Sequence, residues 1–518
     1  MAVKALVHDE PPATEEPGPG RFAAAGAGVL GAATVLGVGH LVAAMVDPDA
    51  SPFLVLGSTM VDLTPRPLKD FAIRQFGAND KAVLFLAMAV VMVVGAAVAG
   101  LLERRRRFAG VALLAALGAV TLVAALQRPT ATPSFALPAL VGTVAGALAL
   151  RALMDAAETD PTAPGRRKFL GVAAGVGVLA LGAAAGGRWL TERLRDSVGD
   201  REVFALPAVD APAPPPPVEA TAPVGGVTRF VTPNNQFYRV DTALRLPALP
   251  SGEWRLRVHG MVEREVVYDF EALRGRRAVE RMVTLTCVSN EVGGDLAGNA
   301  VWTGYPLADL LAEAGVRPDA DMLLSRSIDG FTASTPVSAI LDGRDALLAI
   351  GMNGEPLPIQ HGYPARLVIP GLYGYVSATK WVVDLELTRF DRATAYWTDR
   401  GWADRAPIET ASRIDVPGSF GKVPAGEVVV AGVAWAQRRG ITAVEVQVDD
   451  RPWQPATLAA EYSTDTWRQW YWRWDATPGT HTLRVRATDG TGAVQTEERT
   501  PPFPDGATGW HSRVVTVQ

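Results

Sequence analysis

Residues 284–294 read TLTCVSNEVGG, and Cys287, the one cysteine of the 518-residue chain, stands in their middle. A lone thiol makes no intrachain disulfide, so it serves packing, nucleophilic chemistry or ligation of a soft metal. The surroundings narrow the choice. An apolar, β-prone run over 282–285 ends at the cysteine, polar Ser289 and Asn290 follow, and Gly293 and Gly294 let a backbone approach closely. This pattern predicts a strand end opening into a loop, a usual place for a ligand.

Outward from that stretch the composition divides the chain. Hydrophobic residues make up 48% of it and the formal net charge is -5, but the apolar residues concentrate before residue 190. They form long uncharged runs at 22–46, 82–102, 108–126, 131–150 and 169–187, each near the roughly 20 residues that cross a hydrocarbon core. Buried helices of a soluble protein rarely lack a polar face for so many turns, so the runs are expected to be five membrane spans. Arg104, Arg105, Arg106 and Arg107 crowd the second connection, and Arg166, Arg167 and Lys168 precede the fifth run. By the positive-inside rule both loops are cytoplasmic, which puts the N-terminus inside and everything after residue 190 outside. The loop from Asp47 to Asp80 mixes acidic residues with Arg66, Lys69 and Arg74 and fits an outward position. The Arg166–Arg167 pair, ahead of an apolar run and a large exported region, also resembles a twin-arginine export signal. No small-residue cleavage pattern follows it, so the fifth span is expected to stay as an anchor.

The expected organisation is a membrane domain over 1–190, a Pro-rich linker over 191–227, a mixed α+β domain over 228–404 and an all-β domain over 405–518. Residues 211–217, APAPPPP, read as a semi-rigid spacer holding the outer region off the membrane. Alternation over 254–258, a short amphipathic helix over 307–314 behind Pro306, and β-type runs at 366–371 and 381–387 make the first outer domain α+β. Alternating runs at 428–435, 443–448 and 482–487 between Gly, Asp and Pro turns make the second an immunoglobulin-like β-sandwich without the cysteine pair. Trp467, Trp470, Trp472 and Trp474 are read as core and interface packing.

Five motifs in order carry a resemblance: CVSN at 287–290, WTGYPL at 302–307, GMNGEPLP at 351–358, HGYPAR at 361–366 and Lys380–Trp381. Over 228–390 they resemble the sulfite oxidase family of molybdenum enzymes, in its membrane-anchored bacterial form, and the following sandwich resembles that family's C-terminal domain. The resemblance implies molybdenum with molybdopterin as cofactor and Cys287 as metal ligand and catalytic residue; a soft thiolate suits that metal. It implies that His361 and Arg366 contact the cofactor and that Lys380, with the backbone at Ala378 and Thr379, reaches its phosphate. It carries Asn235, Tyr238 and Arg239 over from a methionine sulfoxide reductase branch, and Ser327 as a further contact. It also implies a homodimer through the sandwich.

Two arginines that the family uses to hold an anion are missing, with Val292 and Val240 at the matching positions, and Trp402 stands where the family has an active-site tyrosine. Losing two charged ligands in a desolvated pocket costs a dianion several kcal/mol, so the expected reaction is two-electron oxygen-atom transfer on a small substrate other than sulfite, in either direction. Only His8 and His40 precede the outer region and no haem-attachment or iron–sulfur cysteine set exists, so no haem is expected. Electrons are expected to pass to a separate protein or quinone-linked carrier. A non-catalytic membrane scaffold retaining the fold is the alternative, disfavoured by the retained Cys287, His361, Arg366 and Lys380. With no basic tract in the outer region, nucleic-acid binding is not expected.

Overall fold

The computed structural model describes residues 20–518, apart from 66–67, 69–70, 72–74, 76–79, 129, 159–162 and 195. Arg66, Lys69, Asp70, Arg74 and His8 therefore lie outside the described residues. The chain divides into two compact units, residues 1–195 and 196–518.

The first unit is helical: α1 (Arg21–Val46), α2 (Pro52–Leu63), α3 (Asp80–Arg105), α4 (Ala109–Leu126), α5 (Ala136–Glu158) and α6 (Ala163–Leu194). Among the described residues, five helices are long and apolar enough to cross a membrane, and each contains or overlaps one of the five expected runs. Helix α1 is central, packed on α3, α5 and α6. Small residues make this contact: a Cβ on Gly28 would lie 2.0 Å from the Ala96 carbonyl oxygen, so only glycine allows the two backbones to meet. The buried Glu103 carboxylate closes the α3–α4 turn, accepting from the amides of Phe108, Gly110 and Val111 and from Arg151 Nη1. Residues 166–168 fall within α6.

The second unit opens with α7 (Ser197–Val203) and carries nineteen strands. The first ten are β1 (Leu256–Gly260), β2 (Val266–Tyr268), β3 (Val279–Thr286), β4 (Ala297–Pro306), β5 (Met322–Ser327), β6 (Thr332–Pro336), β7 (Leu347–Met352), β8 (Glu355–Pro356), β9 (Arg366–Val368) and β10 (Val382–Thr388). They build two sheets, one ordered β2-β1-β10-β5-β6 and one ordered β3-β4-β7-β8 with β9 on β7. Helix α8 (Leu307–Ala314) starts behind Pro306 and stops at Gly315, whose φ of 71° is left-handed, and its Leu307, Leu310, Leu311 and Ala314 face the core.

The rest is β-rich: β11 (Ala411–Val416), β12 (Gly421–Val423), β13 (Gly426–Trp435), β14 (Ile441–Val448), β15 (Gln454–Pro455), β16 (Thr457–Leu458), β17 (Arg468–Ala476), β18 (Gly479–Asp489) and β19 (His511–Val517). One sheet runs β11-β13-β17-β16, the other β12-β19-β18-β14-β15. Alternate residues of β13, β14, β17 and β18 supply a common core that includes Val430, Val446, Trp470, Trp474, Leu483 and Val485. These sheets do not stand apart from the preceding region, because Val433, Trp435 and Trp467 belong to its core.

The semi-rigid stretch expected as a spacer at 211–217 is docked on the domain that follows it. Ala211 bridges Val279 in parallel, its carbonyl accepts from the Glu280 amide at 2.9 Å, and Asp210 exchanges hydrogen bonds with Ala278. The Pro214 carbonyl accepts from Tyr462 Oη at 2.7 Å, and the Ala222 amide donates to Gln469 Oε1. Strand β3 is the outer strand of its sheet and leaves a row of backbone groups to be covered. A proline-rich strap in extended conformation supplies that cover without adding a further edge, because prolines lack the donors that would recruit one.

Candidate functional site

The thiol is positioned by a strand held on both sides. Thr284, three residues before Cys287, accepts through Oγ1 from the Trp467 amide at 2.8 Å and donates to Asn299 Oδ1 at 3.0 Å. Its carbonyl accepts from Gln437 Nε2 at 3.0 Å, and its amide donates to the Asp465 carbonyl. Beyond the strand, the Cys287 amide donates to the Leu296 carbonyl, and Asn290 closes the turn by accepting from the Leu296 amide at 2.9 Å. Gly293, at φ 81°, runs so close to His511 that a Cβ would lie 2.2 Å from the ring. Cys287 is 9% exposed. Burial pushes its thiol pKa up, while hydrogen bonds from Ser289 and the Lys380 charge draw it down; a coordinated metal would complete the deprotonation.

Cys287 opens on a cleft whose empty space, counted out into the solvent at its mouth, is about 940 Å³. Of the residues singled out from sequence, Tyr238, Ser327, His361, Arg366, Ala378 and Lys380 share its wall, as do Val240 and Trp402. Asn235, Arg239 and Thr379 do not line it. Asn235 is exposed. Arg239 pairs from the rim with Asp241 at 2.8 Å, and Thr379 is buried behind the wall, its Oγ1 2.7 Å from Ser325 Oγ. Val292 lies on a separate, smaller cavity with Asn290, Tyr373 and Gln495, so of the two expected arginine positions only Val240 faces the space beside Cys287.

Of the cations of the wall, Arg366 is buried and Lys380 nearly so, its side chain 11% exposed. Arg366, 5% exposed at the start of β9, donates to the carbonyls of His361 (3.0 Å), Ala378 (3.2 Å) and Leu367 (3.3 Å) and lies over Trp302 at 4.9 Å. Among the described residues no carboxylate pairs with it, and burial lowers its pKa to about 10. Lys380 Nζ meets Asp241 at 2.9 Å and the Gln360 carbonyl at 3.1 Å; burial pulls its pKa down to about 8 against the opposing pull of Asp241. His361 donates from Nε2 to the Asn234 carbonyl at 3.1 Å, because a carbonyl can only accept. Burial first, and Arg366 next, depress its pKa to about 4, so the ring is neutral and its Nδ1 remains an acceptor. Burial raises the Tyr238 phenol far above the ordinary range, and that ring stacks on Phe237 at 5.1 Å.

Sequence reasoning missed Asp241, which ties Arg239 to Lys380, and Asn234, whose backbone fixes the His361 tautomer. It missed the Thr284 clamp and the lining residues Asp329, Phe331, Tyr375 and Trp397. Proximity of Asp241 to Tyr238 and Arg239 was the one available signal; the others depend on contacts between distant segments.

A buried guanidinium with only carbonyl partners, a second buried cation and a thiol on the same wall make a receptor for a soft metal joined to an anionic tail. Cys287 offers one protein ligand. Among the described residues no three or more of His, Cys, Asp and Glu gather as a metal site, so a metal held here takes its other ligands from a small molecule. Molybdopterin, with sulfur donors and a phosphate, fits that donor set.

Comparison with known proteins agrees. Residues 243–397 match the oxidoreductase molybdopterin binding domain. The uncharacterized oxidoreductase YuiH of Bacillus subtilis is 31% identical over 150 residues, which are 29% of this chain and 72% of that protein. The chain belongs to the sulfite oxidase family of molybdopterin oxidoreductases. Mitochondrial sulfite oxidase of Rattus norvegicus is 29% identical over 287 residues, 47% of this chain and 52% of that enzyme, so the chain spans about half the length of the curated sulfite oxidases it matches. The sulfane dehydrogenase SoxCD of Paracoccus pantotrophus is similar at 25% identity and TM-score 0.49, over 56% of this chain and 84% of its own.

Proposed function

We propose that this family member is a membrane-anchored oxidoreductase that catalyses two-electron oxygen-atom transfer on a small substrate outside the cytoplasm, and that sulfite is not that substrate. The observation carrying the proposal is the thiol of Cys287 on one cavity wall with Arg366 and Lys380. When bound, molybdenum with molybdopterin supplies the change of oxidation state that oxygen-atom transfer requires. The chain supplies the rest. Cys287 gives the soft ligand, the Arg366 guanidinium and Lys380 ammonium hold the phosphate, neutral His361 presents Nδ1 as an acceptor, and Tyr238, Ser327 and Ala378 shape the wall. Asn235, Arg239 and Thr379 act from beside the cavity, Arg239 by steadying Asp241.

Against sulfite stands the rest of the lining. Val240, Val288, Phe331, Trp397 and Trp402 face the space beside Cys287 and bring no cation for a dianion. A sulfoxide fits better: with two electrons and two protons it yields a sulfide and water. Electrons come from, or go to, a separate carrier protein or a quinone-linked one, and the five apolar helices serve as the anchor, with Arg104 to Arg107 and the twin-arginine-like pair at 166 and 167 on the cytoplasmic side. The β-rich C-terminal region is read as an immunoglobulin-like sandwich through which two copies pair.

The test is purification of the full chain in detergent, molybdenum analysis, and assays with sulfite, methionine sulfoxide, other S-oxides and N-oxides using a dye as electron donor or acceptor. About one molybdenum per chain and turnover of an S- or N-oxide are expected, with the turnover lost in Cys287→Ser while the cofactor is kept. A loaded protein that oxidises sulfite and reduces none of the others would overturn the substrate reading; a protein that never takes up molybdenum would overturn the whole.

A further inference from the structure

We propose that the substrate carries an alkylated ammonium group at its non-reacting end, received in the same cavity by Trp397, Trp402 and Phe331 with Asp329 as counter-charge. The proposal rests on the oxygen-transfer reading above and names the substrate class for that site.

Aromatic walls are the first ground. Trp397 and Trp402 stand edge-to-face, centroids 6.2 Å apart at 74°, and so form a corner rather than a flat slab. Tyr375 extends that corner, 5.8 Å from Trp402, while Tyr396 joins Trp397 (5.1 Å) to Phe331 (5.8 Å). Rings meeting at a corner suit a rounded cation bearing methyl groups, which is drawn to several ring faces and loses less hydration than a primary ammonium. Neighbouring rings already take cations: Lys380 Nζ lies 4.6 Å from the Trp381 centroid and the Arg400 guanidinium 3.6 Å from that of Tyr396.

Charge on the wall is the second. The ionisable carboxylates and cations lining the cavity are Asp241, Asp329, Arg366 and Lys380. Asp241 is engaged by Lys380 and Arg239, and a cofactor phosphate would take up what Arg366 and Lys380 have left. Asp329 then remains as a carboxylate in the β5–β6 turn, fixed by its own amide on Ser327 Oγ (3.4 Å) and by accepting the Phe331 amide at 3.1 Å. The turn holds Asp329 two residues from Phe331, next to an aromatic surface. A carboxylate there repels a substrate anion and attracts a cation, so one residue disfavours sulfite-like ligands and favours the proposed class.

The experiment uses the cofactor-loaded full chain and two matched S-oxides, 2-(trimethylammonio)ethyl methyl sulfoxide and its neutral isostere 3,3-dimethylbutyl methyl sulfoxide. A cation held between aromatic faces and a carboxylate is expected to raise kcat/KM by about tenfold or more over the isostere. Trp402→Leu and Asp329→Asn should each bring that ratio towards one, Asp329→Asn acting on KM for the cation. A binding arm needs no turnover: tetramethylammonium should quench the tryptophan fluorescence of the loaded chain at about tenfold lower concentration than tert-butanol, and sulfate should do so at neither. Equal use of the two sulfoxides, or a preference that survives in both variants, would overturn the proposal while leaving oxygen-atom transfer intact. Selective binding of tetramethylammonium by a loaded protein that reduces neither sulfoxide would support the cation site and count against the S-oxide chemistry instead.

Discussion

Lys380 is a buried ammonium whose charge the folded protein bears at a cost, and that cost can be measured. Its pKa is about 8 in the folded chain against an ordinary 10.5, with burial as the main cause and Asp241 opposing it. A base whose pKa is depressed on folding binds fewer protons folded than unfolded between those two values, so stability without cofactor rises with pH across the window. It is unaffected well below pH 8, where both states are protonated, and between about pH 7 and 9.5 the gain amounts to about 2 kcal/mol. A phosphate reverses the preference by favouring the ammonium, so cofactor affinity should fall over the same range by about 30-fold. The assay is denaturant unfolding of cofactor-free and loaded protein in detergent, followed by tryptophan fluorescence. Every tryptophan except Trp189 lies in the 196–518 unit, which that signal therefore reports. The cofactor-free protein should stabilise as pH rises while the loaded one does not, and Lys380→Met should remove the rise. A flat profile in the cofactor-free wild type, or the same rise in Lys380→Met, would refute the assignment of Lys380 as the phosphate's ammonium.

Other expectations follow from the same geometry. Because His361 titrates near pH 4, kcat/KM should show no inflection near pH 6.5 belonging to that ring; an inflection abolished by His361→Asn would contradict a neutral His361. Val240 lines the cavity and Val292 does not, so Val240→Arg should tighten inhibition by sulfate, by about tenfold for one charge-assisted contact, while Val292→Arg leaves it unchanged, as read by competition kinetics. Gln437→Leu removes a buried donor from the Thr284 carbonyl and should cost about 1–3 kcal/mol in unfolding experiments. A loss of cofactor retention larger than that stability change would show that the clamp positions Cys287 as well as supporting the fold.

The elements nearest the thiol were legible because local chemistry and global structure agree there. The apolar run before Cys287 became β3, Pro306 opened α8 where its fixed φ fits, and alternating valines became β13 and β14. The five apolar runs were legible as long helices because each is uncharged and apolar over about 20 residues, with no polar face to break the run. The strap over β3 was not, since APAPPPP has the same composition free or docked, and only the Ala211, Asp210 and Pro214 contacts distinguish the two. Cys287, His361, Arg366 and Lys380 could be picked out by motif. Motif order said nothing of which residues share a wall: the resemblance carried over Asn235 and the backbone at Thr379, and of these Asn235 is exposed while the Thr379 side chain is buried beside Ser325. Asp241 and the Thr284 clamp were illegible for a plainer reason: Asp241 meets Lys380, and Thr284 meets Gln437 and Trp467, across more than a hundred residues of chain.

X-ray absorption at the molybdenum edge of the purified full chain reads the proposed bond between Cys287 and the metal directly. The wild type should show one more sulfur neighbour than Cys287→Ser loaded with the same cofactor. Identical sulfur coordination in both proteins would contradict it.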